Sequence, residues 1–319
     1  RQSTANVLPT SLITGALGIP GQYPTLDPTD YMIVVGVASD LKPETSKTFT
    51  VGADFDRIRG PHSWSASANY YNISFEDRLG RTPIPGNLDP AFAPFLIFDD
   101  PASFPPGTAF FFPTADELNA IVSRFDLPPN LLAGATLANV GVINNANIIR
   151  NLARTKTDGL DLSIDYNLDT DFGRVSAGFN ANYIIDFTQQ ASVSTAEVDI
   201  LNTLYNPVDL QLRGNLGLIY DQLSTSLFVN YTDSYKTDST PTGRKVSSWL
   251  TVDVVIGYSF DAPNESLFND VDLNLSITNI FNAMPPTTSS IGRFQIAGFD
   301  PANASPLGRF IALEIRKSF

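Results

Sequence analysis

From Val271 to Asn279 the chain reads V-D-L-N-L-S-I-T-N, with Val271, Leu273, Leu275 and Ile277 at alternate positions and Asp272, Asn274, Ser276 and Thr278 between them. Successive side chains of a strand point to opposite sides, so this unbroken two-residue period predicts a strand with one apolar and one polar face. The same rhythm sets Leu250, Val252, Val254, Ile256, Tyr258 and Phe260 against Thr251, Asp253, Val255, Gly257 and Ser259. It recurs at Leu210–Tyr220, at Leu223–Tyr231, at Leu160–Tyr166 and at Val175–Ile185. Upstream, Phe49, Val51, Ala53 and Phe55 alternate with Thr48, Thr50 and Asp54, and Trp64 to Asp77 reads as a strand with a bulge expected near Tyr70-Tyr71. Downstream, Ile311, Leu313, Ile315 and Phe319 alternate with Phe310, Ala312, Glu314, Arg316 and Ser318.

About nine such strands result, each close to the ~9–11 residues with which a tilted strand crosses a bilayer and longer than the ~5–6 usual in soluble sheets. Their connections alternate in length. Arg57 to Ser63, Asp169 to Gly173 and Asp221-Gln222 are short and Asp261 to Asp270 is intermediate, whereas Gly80 to Leu152, Thr188 to Val208, Asp233 to Ser248 and Phe281 to Leu307 are long. An up-and-down barrel with tight turns on one rim and long loops on the other produces this order, and Greek-key connections give no reason for it. The fold class expected is therefore all-β, an antiparallel up-and-down transmembrane β-barrel. Strand-end aromatics Trp64, Tyr166, Phe187, Tyr220, Tyr231, Trp249, Tyr258 and Phe319 are expected to form its interfacial girdles.

Composition narrows the chemistry. With no cysteine and a single histidine, His62, thiol catalysis, disulfide frameworks, iron–sulfur clusters and histidine-rich metal centres are excluded. A net charge of −13 with no basic run longer than Arg316-Lys317 argues against nucleic-acid binding. No stretch approaches the ~18 apolar residues of a transmembrane helix. Gly and Pro, 21 and 23 in number, and 22 Phe with 11 Tyr favour strands joined by irregular loops over helices.

Several segments resemble TonB-dependent outer-membrane receptors. Leu41-Lys42-Pro43-Glu44-Thr45-Ser46 before the strand Phe49 to Phe55 is similar to the lead-in of a barrel strand in that family, and Tyr70-Tyr71-Asn72-Ile73, Asp77-Arg78-Leu79 and Thr157-Asp158-Gly159-Leu160-Asp161 resemble its paired strands. Asn279-Ile280-Phe281-Asn282, Pro285-Pro286, Gly298-Phe299-Asp300-Pro301, Gly308-Arg309-Phe310 and the terminal Phe319 resemble its penultimate strand, last external loop and closing strand. The resemblance implies that 41–319 is the C-terminal portion of a barrel of about twenty-two strands, with 80–152 a long extracellular loop, 1–40 an irregular loop segment, and no plug domain in these residues. It implies a receptor in the bacterial outer membrane that takes up a scarce small-molecule nutrient, such as a ferric siderophore, cobalamin or oligosaccharide, without cofactor and without enzymatic chemistry. Its implied partners are outer-membrane lipid, the N-terminal barrel half and plug, the TonB energy-transducing complex acting through the plug, and the barrel-assembly machinery, for which Ile311, Leu313, Ile315 and Phe319 would be the signal. A secreted all-β carbohydrate-binding or structural protein is the alternative.

Within 80–152, Thr114 and Glu117 form a capping box ahead of Leu118, Ile121, Val122 and Phe125, predicting an amphipathic helix over 115–125 that serves as a lid or packs on the rim. Phe92, Phe95, Phe98, Phe104, Phe110, Phe111 and Phe112 make this loop aromatic. Of these, Phe95, Phe98, Phe110, Phe111 and Phe112 are candidate ligand contacts, their other reading being plain loop packing. The carboxylate pairs Asp99-Asp100, Asp54-Asp56 and Asp270-Asp272 lack the spacing of a calcium loop and read as solvated acids, and His62 beside Pro61 and Trp64 reads as an interfacial residue.

Overall fold

The computed structural model describes residues 4–10, 29–38, 40–81, 108–125, 128–190, 195–237, 243–260, 270–288 and 298–317. Nine long strands follow one another in a single antiparallel sheet: β1 Thr45–Arg59, β2 His62–Glu76, β3 Arg154–Thr170, β4 Gly173–Gln190, β5 Leu210–Tyr220, β6 Leu223–Thr232, β7 Trp249–Phe260, β8 Val271–Thr278 and β9 Phe310–Lys317. Each strand pairs with its sequence neighbour among these nine, so β1 and β9 are the two edges of an open meander.

The register carries one face across the whole sheet. Leu313 opposes Leu275, which shares its side with Ile256, Thr225, Leu218, Val175 and Leu168 through successive pairings. Ile164 likewise opposes Phe179 and Ala66, and Ala66 opposes Phe55. Partners directly across a ladder project to the same side, so the alternation read strand by strand becomes one continuous apolar face. The other face collects Asp54, Ser67, Ser163, Asn180, Arg213 and Asn230 in one transverse row. No second sheet covers the apolar side among the described residues: Leu216, Leu313 and Ile315 are 57%, 64% and 66% exposed.

The short connections share a rim. Tyr220 pairs with Leu223, Leu223 with Tyr258, Phe260 with Val271 and Val271 with Lys317, so the Asp221-Gln222 turn lies at the end where the described chain stops. Aromatics on the apolar face mark this rim: Trp64 packs on Tyr166 at 4.1 Å between ring centroids, Tyr258 meets Phe260 edge-on at 4.8 Å, and His62 Nδ1 lies 2.7 Å from the Tyr166 hydroxyl. Phe187 and Trp249, expected in the girdles, sit on the polar face instead, opposite Thr157 and Thr232. The reason for Phe187 is a bulge at Ile184/Asp186 that shifts the parity of β4. No bulge occurs at Tyr70-Tyr71, where the pairing runs through without a shift. Tyr71 is accommodated by Gly159 directly across from it: a Cβ there would lie 2.5 Å from the Tyr71 hydroxyl. The phenol thus covers a position that no larger residue can occupy.

A second sheet stands at the opposite rim. The 1–40 segment, expected to be irregular, contributes strands Thr4–Pro9 and Asp30–Val37. Asp30–Val37 runs parallel to Val140–Asn151 and antiparallel to Thr4–Pro9, with short additions from Leu79–Gly80, Ala109–Phe111 and Asn130–Leu131. Val7, Met32, Val34 and Ile143 are fully buried in its core. The helix spans Ala115–Val122, shorter than the expected 115–125, and its capping box forms in full, with Thr114 N–H donating to Glu117 Oε2 at 2.8 Å. Ile121 is buried in the core of this small sheet, with Leu118, Val122 and Phe125 packed beside it.

Candidate functional site

At the long-connection rim, three stretches of chain separated by up to 95 residues meet around Asp300, whose side chain is wholly buried. Its carboxylate accepts from Tyr205 N–H at 3.1 Å, Ala302 N–H at 2.9 Å and the Asn303 amide at 2.8 Å, and the Tyr235 hydroxyl bonds to it as well. Asn303 also donates to Asn206 O at 2.8 Å. Tyr235 belongs to a small hairpin, Tyr235–Lys236 against Lys245–Val246, and with Val246, Leu204 and Val208 it forms a separate apolar cluster. Burial, and then the neighbouring Asp300 charge, push the Tyr235 phenol well above its ordinary range.

This hairpin borders an open cavity of about 800 Å³ whose lining includes Lys236, Lys245, Glu197, Asp199, Leu201 and Ser234. Glu197 is engaged from behind: Lys156 lies 2.9 Å and Arg154 3.7 Å away, and Arg154 continues the chain of charges to Glu76 at 3.8 Å. The Lys156 hydrogen bond holds the Glu197 carboxyl below its usual range.

A second concavity, about 480 Å³, lies on the polar face over β2 to β6 and includes Ser67, Asp161, Asn182, Arg213 and Asn230. Cross-strand bonds tie this wall together, Asn182 to Asp161 at 2.7 Å and Asn230 to Asp253 at 2.9 Å, while the Arg213 guanidinium sits 4.6 Å above the Phe228 ring. It is a donor- and acceptor-rich surface. Among the described residues no three His, Asp or Glu side chains gather as metal ligands.

Asn151 joins the small sheet to the barrel strands. Its amide donates to Lys42 O at 2.9 Å and Asp77 O at 2.6 Å, and its carbonyl accepts from Lys42 N–H at 2.8 Å, while Glu44 accepts from Leu79 N–H. The Lys42-Pro43-Glu44 lead-in thus acts as one half of a clamp between the start of β1 and the end of β2. Asn151→Ala removes all three side-chain bonds, a loss of roughly 1–3 kcal/mol at this junction. The expected result is faster limited proteolysis near residue 151 in the full-length protein in detergent. Asn151→Asp should be no better, because it turns a carboxylate towards two carbonyls; cleavage unchanged in both variants would refute the clamp.

Of the candidate ligand contacts, Phe95 and Phe98 lie outside the described residues. Phe110 and Phe111 form a short strand, with Phe110 packed on the core of the small sheet, and Phe112 is 57% exposed at a positive φ of 48°. Ile311, Leu313 and Ile315 line the apolar face of β9, and Phe319 lies outside the described residues. Of the carboxylate pairs, Asp99-Asp100 also lies outside them, while Asp272 accepts from Ser259 Oγ at 2.7 Å. Neither the Asp300 hub nor the Lys236/Lys245 pair follows from the periodicity. The G-F-D-P segment that carries Asp300 was the one legible trace, as a motif without a role.

A family profile described as "TonB dependent receptor-like, beta-barrel" matches residues 12–280. Similar solved structures include a mutant ferric enterobactin receptor from Pseudomonas aeruginosa in complex with enterobactin, at 14% identity and a TM-score of 0.49, covering 90% of this chain and 33% of that one. The siderophore receptor PirA from Acinetobacter baumannii is similar at 15% identity and 0.48, with 91% and 34% covered. The pyoverdine outer membrane receptor FpvA from Pseudomonas aeruginosa stands at 13% and 0.43, with 88% and 30% covered. The chain spans about a third of the length of these structures. No curated protein matches it.

Proposed function

The chain belongs to the TonB-dependent receptor-like β-barrel family, and on that premise we propose that it forms part of the wall and outer rim of an outer-membrane receptor importing a scarce nutrient. The observation that carries this reading is the register-locked division of nine strands into an uncovered apolar face and a polar one. Lipid takes the apolar face, and the polar wall faces a lumen filled by water and plug. The two open edges are closed by further strands, because lipid leaves unpaired backbone groups unsolvated. The secreted sandwich fits less well, since a sandwich would bury the face on which Leu216 and Leu313 lie half-open.

The chain performs no bond chemistry in this scheme. Import of a ferric siderophore, cobalamin or oligosaccharide is driven by the TonB complex through the plug, and the barrel-assembly machinery reads the C-terminal strand. The test is growth of a strain carrying the full-length receptor on a panel of these nutrients, with and without TonB. Growth on one of them that depends on both receptor and TonB is expected. Deleting Phe319 should lower outer-membrane abundance on a fractionation blot, whereas shortening the 114–125 segment should change uptake at normal abundance. Uptake that persists without TonB would overturn the reading.

A further inference from the structure

Lys236 and Lys245 are direct cross-strand partners in a ladder of only two residue pairs. The other pair, Tyr235 and Val246, is turned into the apolar cluster, so the two ammonium groups project together from the opposite side into the 800 Å³ cavity. Like charges directly opposite on a ladder destabilise it. The acids around them hold other partners, and only Asp233 lies close enough to Lys245 to feel its charge among the described residues. Glu197 is bound by Lys156 and Arg154, Asp199 accepts from Leu201 N–H at 2.9 Å, and Asp233 accepts from Ser234 N–H at 2.6 Å and the Tyr231 hydroxyl at 2.9 Å. No ion pair to Lys236 or Lys245 occurs among the described residues.

The hairpin is nonetheless held in place from several sides. Lys236 N–H donates to Asn202 O at 2.9 Å, Thr237 N–H to Arg244 O at 2.9 Å, and Tyr235 is anchored through Asp300. A like-charged pair on a fixed scaffold, opening on a cavity of small-molecule size, is an arrangement completed by an anion.

We infer that this cavity binds a small solute bearing a phosphate or carboxylate group, with the oxyanion bridging Lys236 and Lys245. Each ammonium supplies three freely rotating donors and suits an oxyanion as a point charge. Ser234 supplies a hydroxyl at the wall, and Leu201 an apolar side for the rest of the solute. The inference rests on the receptor reading for its physiological meaning, since it names the class of nutrient, but binding itself can be measured apart from transport.

The experiment uses the full-length receptor purified in detergent, with sodium pyrophosphate and sodium citrate as probes, maltotriose as neutral control and potassium chloride at matched ionic strength. Saturable binding of pyrophosphate or citrate is expected, weakened at least tenfold in K236Q/K245Q, with no response to maltotriose. K236E, which converts the like pair to an opposite one, should melt no lower than the parent without probe and should lose binding. In the unaltered protein, pyrophosphate should protect Lys236 and Lys245 from acetylation read by mass spectrometry while leaving Lys47, whose side chain is 85% exposed, unprotected. Absence of both saturable binding and protection, or equal affinity in K236Q/K245Q, overturns the assignment. TonB-dependent uptake that survives such a result leaves the receptor reading intact, and TonB-independent uptake beside normal pyrophosphate binding removes that reading alone.

Discussion

Replacing Asp300 by alanine is expected to release the loops at the long-connection rim while the nine-stranded sheet stays folded. The substitution removes the wholly buried acceptor shared by the Tyr205 and Ala302 N–H groups, the Asn303 amide and the Tyr235 hydroxyl, of which Tyr235 is buried and Tyr205 is 37% exposed. Each unsatisfied buried donor costs about 1–3 kcal/mol. Even if half of them find new partners, a loss near ~3 kcal/mol corresponds to about a hundredfold faster hydrogen exchange. The change should be confined to 200–209, the Tyr235–Val246 hairpin and 298–304, with β5 and β6 protected as before. Asp300→Asn should fall between, since it keeps one acceptor oxygen and turns a donor amide towards donors. High pH acts in the same direction. The Tyr235 phenol is raised in the folded protein, so its contribution is complete below the ordinary tyrosine pKa of about 10 and declines as pH rises past it. Exchange in Asp300→Ala equal to the parent at these segments would dismiss the hub.

The second large effect is one of face. Leu313→Arg places a charge in the middle of the apolar side of β9, opposite Leu275. In a bilayer this costs about 2–4 kcal/mol, against about zero for a tolerated polar-face change. Asn274→Arg, one residue along the partner strand, projects to the other side and lies opposite Glu314. An opposite-charge pair there contributes about 0.2–1 kcal/mol of stabilisation. Urea unfolding of the full-length receptor in lipid vesicles should therefore separate the two arginines by at least ~2 kcal/mol. Equal losses, or the larger loss at Asn274, would show that the apolar side does not face lipid.

Both predictions rest on sequence features of different reach. The face of Leu313 is local information: a two-residue period read within one strand fixes which residues share a side, and each of the nine strands overlaps the segment read for it, so their partners follow in order. The rim of the Asp221-Gln222 turn followed from parity alone. Phe187 departed from this rule because a bulge is a backbone event that hydrophobic alternation does not encode, and the expected bulge at Tyr70-Tyr71 was replaced by Gly159 yielding space to Tyr71.

The small sheet escaped for a related reason. Asp30–Val37 and Val140–Asn151 pair in parallel and bury successive residues in their first halves, Tyr31 beside Met32 and Ile143 beside Asn144, so no alternation of apolar and polar positions marks them as strands. The continuous run Tyr31-Met32-Ile33-Val34-Val35 was its only local sign. By itself, then, the sequence determined the strands, their two faces, the order of long and short connections and the family. The tertiary structure alone decided what Asp300, Asn151 and the Lys236/Lys245 pair do. Alternation is a property of neighbouring residues, whereas a buried carboxylate, a clamp or a like-charged pair is defined by groups that only folding brings together.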